Sequence, residues 1–212
     1  MLAAMKLYYT PTSPFVRKVL VAAHELGLAG RIETVTLRPT PMKASPELSN
    51  VNPLSKIPAM VTDLGTTLFD SRVICEYLDT LHAGRKLVPE SGPRRFDVLR
   101  TQALADGVLD ASILVFYERA HRPENLHWDP WLDGQAEKAR QGIDALAREV
   151  RALGNDVPDD SVDLAQIAVA CTLGWLELRK PLGDLRPGRQ ELFAWYDRFR
   201  GRPSMKHTEP AI

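Results

Sequence analysis

Short runs of apolar and β-branched residues separated by turn chemistry fill the first part of the chain, whereas apolar positions recur every three to four residues over long spans in the rest. Lys6 to Tyr9 has the aromatic content of a short buried strand, Thr10 to Thr12 is turn chemistry, and Val16, Val19, Leu20 and Ala23 return at helical spacing. Ser13-Pro14 opens that helix: serine is a favoured N-cap, and proline fits the first position because its missing N–H would have had no partner there. Leu26-Gly-Leu-Ala-Gly30 supplies a glycine stop, and the β-branched stretch from Arg31 to Leu37 reads as a second strand. A strand, a helical crossover and a strand imply a parallel pair with a right-handed connection. Residues 38–52 are proline-broken, with room for a short helix near Pro46 to Asn50.

Ile57 to Thr62 is a strand entered through Pro58, a position that suits an edge strand, and a cis Ile57–Pro58 bond is left open. Leu64-Gly65 is a hairpin turn into Thr66 to Phe69. Asp70-Ser71 is a second helix start, before an amphipathic helix with Val73, Ile74, Tyr77, Leu78 and Leu81 on one face. These elements make an α/β domain over residues 1–82, with Met1 to Ala4 as a short tail, and residues 83–92 read as a linker.

Beyond the linker strand signals stop, and residues 93–212 read as an all-helical domain. One long helix spans Pro93 to Ala120, with Phe96, Leu99, Leu104, Val108, Ala111 and Val115 as apolar positions. A second runs from Trp131 to Leu153 on Ile143, Leu146, Val150 and Leu153. Asp163-Leu-Ala-Gln166 is a capping box in the broader sense, with Val162 and Ile167 placed for a hydrophobic staple, and it opens a nearly all-apolar helix through Leu178 that must be central to the core. Glu191 to Arg200 adds a last helix on Leu192, Trp195, Tyr196 and Phe199.

Charge adds an exclusion. Lys plus Arg equals Asp plus Glu at 27 each, so no electrostatic footprint for nucleic acid or an anionic membrane appears. There is no apolar leader and no run near the ~20 residues of a membrane span, which leaves a cytoplasmic protein as the expectation. Cys75 and Cys171 fall on apolar helical patterns as buried small hydrophobes, and Cys and His show no metal-ligand spacing.

Four motifs in this order, Ser13-Pro-Phe-Val-Arg-Lys-Val19, Asn52-Pro-Leu-Ser-Lys-Ile-Pro58, Phe69-Asp-Ser71 before a helix, and the capped buried helix at Asp163, resemble the glutathione transferase superfamily over nearly the whole chain. The resemblance implies a thioredoxin-like N-terminal domain (βαβ then ββα), an all-α C-terminal domain, glutathione as co-substrate, no metal, and a homodimer. It assigns Ile57, the residue before Pro58, to backbone pairing with the cysteinyl part of glutathione, as one strand pairs with another. Ser71 at a helix N-terminus would take the γ-glutamyl carboxylate, with Asp70 for the amino group. Lys56 and Lys43 are candidates for the glycyl carboxylate, Lys56 the better placed, and Phe15 belongs to the same site. Asp106 is a candidate contact to the glutathione amine across a dimer interface. Tyr117, Arg119 and Arg122, with Tyr9, are candidates for the second-substrate pocket.

The chemistry implied is thiol activation. A thiol with pKa near ~8.5 is only about 3% thiolate at pH 7, and a fall of two units makes it roughly three-quarters. A hydroxyl donor at a helix N-terminus stabilises S⁻ more than SH and can produce such a fall, for attack on a small hydrophobic electrophile. Ser13 is the candidate donor and Tyr9, at the end of the first strand, its rival. Serine in place of the cysteine carried by some superfamily members disfavours reduction through a mixed disulfide. A non-catalytic binding module is the alternative from a different class, and peroxidase or isomerase activity from the same site stays open.

Overall fold

The computed structural model describes residues 4–153 and 161–210. All but Ala4 of the expected amino-terminal tail lies outside them. The chain divides into two compact units, one made of the residues up to Val88 together with the segment from Pro203 onward, the other of Pro89–Arg202.

The first unit is built on a four-stranded sheet in the order β2-β1-β3-β4, with β1 at Met5–Tyr9, β2 at Ile32–Thr36, β3 at Ala59–Val61 and β4 at Thr67–Leu68. β1 and β2 are parallel from Met5↔Ile32 to Tyr9↔Thr36, as the helical crossover requires. β3 runs antiparallel to β1 and β4 antiparallel to β3. Pro58 thus precedes an interior strand rather than an edge strand; it lies before the first ladder residue, so no ladder donor is lost. The Ile57–Pro58 bond is cis. Gly65 closes the hairpin at φ +79°, a conformation that favours glycine, while Thr62 Oγ1 accepts from the N–H groups of Leu64 and Thr66.

Helix α1 (Pro14–Glu25) follows β1, α2 (Pro46–Ser49) is the short expected turn of helix, and α3 (Ser71–Thr80) follows β4. α1 packs against α3, burying Val16, Val19, Ala22 and Ala23 on one and Ile74, Cys75 and Leu78 on the other. Val73, placed with the inward residues on the sequence pattern, is 47% exposed. The inward row is instead Ser71, Ile74, Cys75, Leu78 and Asp79, spaced three and four apart, because a small serine and a cysteine occupy positions where large apolar residues were sought.

Two further features differ from the sequence reading. Asp79, 5% exposed, accepts from the N–H groups of Leu87 and Val88 at 2.9 Å each, so the stretch read as a linker is tied to the first unit through Val88. The carboxy-terminal segment, read as part of the helical domain, also belongs there: α8 (Pro203–His207) packs on α1, with the Arg17 guanidinium donating to the Met205 carbonyl at 3.0 Å.

In the second unit α4 (Pro93–His121) packs against α5 (Asp129–Leu153) and α6 (Leu164–Arg179), and α5 also meets α7 (Gln190–Phe199). Every residue from Leu164 to Leu176 is buried, so α6 is the core helix its apolar composition calls for. Both bonds of the capping box form: the Gln166 N–H donates to Asp163 Oδ1 at 3.0 Å, and the Asp163 N–H to Gln166 Oε1 at 2.9 Å. Gly142 lets α5 approach α4, since a Cβ there would lie 2.4 Å from Val108 Cγ2. Phe96, counted among the apolar positions of α4, is 70% exposed; the inward row runs through Val98, Thr101, Ala105, Val108, Ser112 and Val115. Ile143, Leu146 and Val150 are buried as expected, while the side chain of Leu153 lies outside the described residues. No helix among the described residues is long and apolar enough to cross a membrane.

Candidate active site

Strand direction gathers the three N-terminal motifs. Tyr8, next to the end of β1, pairs with Ala59 at the start of β3, and Met60 pairs with Leu68 at the end of β4. The loops leaving β1 and β4 and the loop entering β3 therefore meet at one end of the sheet. Ser13, the Ile57–Pro58 pair and Asp70-Ser71 lie on those three loops. Helices α1 and α3 begin at that same end, so it carries two helix amino termini and their unpaired N–H groups.

Ser13 is the N-cap of α1, with Pro14 in the first helical position. Its Oγ accepts from the Val16 N–H at 3.3 Å, which leaves the hydroxyl hydrogen to donate away from the helix. Thr10 anchors the preceding turn: its hydroxyl donates to the Leu37 carbonyl at 2.7 Å, and its carbonyl accepts from the Ser13 N–H at 3.1 Å. Tyr9 ends β1 and is half-buried, as is Phe15 in the first turn of α1. The Thr10–Thr12 turn separates Tyr9 from Ser13, and the Tyr9 carbonyl accepts from the Leu37 N–H at 2.9 Å.

Asn52 is a contributor the sequence reading did not assign. Its side chain is 2% exposed, donates to the Lys56 carbonyl at 2.8 Å and accepts from the Leu54 N–H at 3.0 Å, which shapes the loop that presents Ile57. The Asn-Pro pair at 52–53 was the available signal, since asparagine side chains commonly bond to backbone two residues on. Lys56 and Lys43 are both exposed, and their segments are joined where the Ser45 N–H donates to Ser55 Oγ at 3.0 Å.

Ser71, 2% exposed, is the first residue of α3, and Asp70 is its N-cap, accepting from the Arg72 N–H at 2.9 Å. The Arg72 guanidinium also bonds both Asp70 oxygens, with Nη2 at 2.8 Å from Oδ2. Burial alone would raise the Asp70 carboxyl, but the Arg72 bonds and the charges of Arg72 and Lys18 outweigh it and hold it below the usual carboxylate range. Lys18, also unassigned from sequence, is 1% exposed on α1 with Nζ 5.8 Å from the Phe15 ring centroid.

The remaining candidates lie in the second unit. Asp106, on α4, is buried at 6% exposure. Tyr117, Arg119 and Arg122 fall in the last turns of α4 but do not share a face. The Tyr117 ring lies 5.4 Å from that of His121, and burial raises its phenol pKa against the opposing charge of Arg179. Arg119 donates to the Pro181 carbonyl at 3.0 Å, and Arg122 Nε stands 2.7 Å from Glu118 Oε1.

Residues 12–81 match the family model of the glutathione S-transferase N-terminal domain, and residues 129–198 that of the glutathione S-transferase C-terminal domain. The chain is 32% identical to the GST-like protein YibF of Escherichia coli over 97% of this chain and 98% of that one. A solved glutathione transferase family member from Pseudomonas fluorescens Pf-5 with bound glutathione is 42% identical, with a TM-score of 0.92 over 99% of this chain and 100% of that chain. A glutathione S-transferase from Methylobacillus flagellatus with GSH bound is 35% identical, with a TM-score of 0.84 over 98% and 100%. The chain belongs to the glutathione transferase superfamily.

Proposed function

We propose that this protein is a glutathione transferase that binds glutathione at the end of the sheet where α1 and α3 begin, and activates its thiol for attack on a small hydrophobic electrophile. The observation that carries the reading is the state of Ser13: its oxygen is engaged by the Val16 N–H, so its hydrogen is the part left to meet an anion. A thiolate there would accept from the hydroxyl and sit at the positive end of the α1 dipole. Ile57 would pair its backbone with the cysteinyl residue, just outside the ladder that starts at Ala59. Ser71 and the amino end of α3 would receive the γ-glutamyl carboxylate, Asp70 the amino group, and Lys56 the glycyl carboxylate, with Lys43 as the second cation of that region. The bound glutathione in the 42% identical relative supports the ligand.

Serine at the cap cannot form a mixed disulfide, so the reading is conjugation or another use of the thiolate, not disulfide exchange through this residue. A homodimer is part of the proposal, with α4 as the contact helix. The reading is tested by titrating the thiolate absorbance of glutathione bound to the protein against that of free glutathione. A pKa lowered by about one unit or more is expected. Binding without a shift would leave a carrier and remove Ser13 from the mechanism, and absence of binding would sink the site.

A further inference from the structure

Phe116, Tyr117, His121 and Trp175 gather in the second unit, where α4 packs on α6 near the carboxy-terminal ends of both helices. Phe116 meets the buried Trp175 edge-on, with ring centroids 5.9 Å apart, and tilts against Tyr117 at 5.8 Å. The Tyr117 ring lies 5.4 Å from the exposed ring of His121. Arg179, in the last turn of α6, sets its guanidinium carbon 5.3 Å from the Phe116 ring centroid. A cation in the last turn of a helix is favoured by the dipole and needs no further reason for its charge. Its lack of a counter-charge does call for one. The carboxylates beside it on the same two helices are held by other arginines, Glu118 by Arg122 at 2.7 Å and Glu177 by Arg186 at 2.6 Å. Among the described residues Arg179 has no ion pair and no hydrogen bond, and the Tyr117 hydroxyl has no hydrogen bond either. Burial raises the Tyr117 pKa against the charge of Arg179, so the phenol keeps its proton and stands as a donor.

We propose that Arg179 is a specificity-determining residue of the electrophile pocket and that the electrophile is an aryl carboxylate: its ring lies against Phe116 and Tyr117, and its carboxylate accepts from the Arg179 guanidinium and the Tyr117 hydroxyl. The inference rests on the conjugation reading above and adds to it the chemical class of the second substrate. A planar fork of N–H donors matches the two oxygens of a carboxylate, and a flat ring shares the faces of the aromatic cluster. An uncharged electrophile of the same shape would leave both donors without an acceptor, which is the basis of the discrimination.

The test uses the full chain, glutathione and two probes, 4-chloro-3-nitrobenzoate and its methyl ester. In each, the glutathione thiolate attacks the ring carbon that bears chlorine; the carbon–sulfur bond forms and chloride leaves with the bonding pair. KM is compared, because the ester is intrinsically the more reactive of the two. Wild-type protein is expected to show a KM about tenfold lower for the acid than for the ester, and R179Q to lose that preference. R179K, which keeps the charge without the fork, should retain part of it. Equal KM values for acid and ester in the wild type overturn the inference, as does a preference that survives in R179Q. If R179Q does not fold, R179M is read by the same criteria. Calorimetry with 3-nitrobenzoate, which has no leaving group, reads the site apart from the chemistry. Binding that R179Q weakens about tenfold, in protein that conjugates neither probe, keeps the carboxylate site and removes the conjugation reading. Conjugation of both probes with no preference for the acid keeps that reading and removes this inference alone.

Discussion

Ser13 Oγ accepts a hydrogen bond from the Val16 N–H at 3.3 Å, which makes one hydroxyl both the cap of α1 and the candidate donor to a thiolate. The two roles use different parts of the group and can be separated. S13A should lose both, slowing conjugation by about 10²-fold, the scale of one lost donor to a developing or resident anion, and raising the pKa of the bound thiol. S13N keeps a cap acceptor and should preserve the helix while failing to restore the hydroxyl. Y9F should leave the bound thiol pKa in place. Thiolate titration of the three variants decides the matter, and a bound thiol pKa as low in S13A as in the wild type beside a raised one in Y9F would transfer the role to Tyr9.

Asp163 supports the prediction with the largest expected effect on stability. It is 4% exposed, accepts from the Gln166 N–H in the capping box, and meets Arg94 Nη2 at 2.5 Å. Arg94 is half exposed, so the ion pair itself adds little, and most of the contribution comes from the satisfied cap of a helix buried along its length. D163A should cost about 2 kcal/mol in urea unfolding, while D163N, which keeps an acceptor oxygen, should stay within about 1 kcal/mol of wild type. Equal losses in the two variants would assign the effect to the charge instead.

The helix starts at Ser13, Asp70 and Asp163 were legible because capping is local chemistry, carried within four residues. So was the parallel pairing of β1 and β2, since a helical crossover admits little else. The meeting of Ser13, Ile57 and Ser71 at one end of the sheet depends on strand order, and the proline at its entry placed β3 at an edge rather than between β1 and β4. Lys18 was invisible for a different reason: a lysine beside an arginine on an amphipathic helix reads as a solvated face, and only tertiary packing buries it. Asp79 binding the Leu87 and Val88 N–H groups, and the return of α8 to α1, are long-range events with no local signal.

His24 and His207 stack with ring centroids 5.3 Å apart and planes 11° from parallel, fastening α8 to α1. Burial lowers the His24 pKa, the His207 charge lowers it further, and Glu25 opposes them. The unfolded chain then takes up this proton at a higher pH than the folded chain does. The stability from neutral His24 is complete above the ordinary histidine value and is lost as pH falls below it toward the folded value. The pair is partly exposed, so the loss should stay under about 1 kcal/mol. H24F, which keeps a ring but cannot be protonated, should flatten the urea midpoint between about pH 7 and about pH 5. A wild-type midpoint that does not move over that range would count against the assignment.

Gly107 lies at an exposed position in the middle of α4, where a Cβ would meet nothing within 4 Å in its own chain. Glycine costs a helix interior about 1 kcal/mol relative to alanine, and packing within the chain gives no reason to accept that cost. The proposed homodimer would supply one through the exposed residues around it. Phe96, Arg100, Ala103, Gly107, Asp110 and Leu114 follow one another at spacings of four and three, and the stripe reads the same about its midpoint at Ala105. A two-fold axis there would set Phe96 against the partner's Leu114, Arg100 against the partner's Asp110, and Ala103 against the partner's Gly107, with the two small residues where the helices cross most closely. G107R should therefore convert a dimer to a monomer in sedimentation analysis, while G107A, which adds one methyl group, should leave most of the protein dimeric. Folded, dimeric G107R would move the interface elsewhere on the protein, and a wild-type monomer would remove the dimer from the proposal altogether.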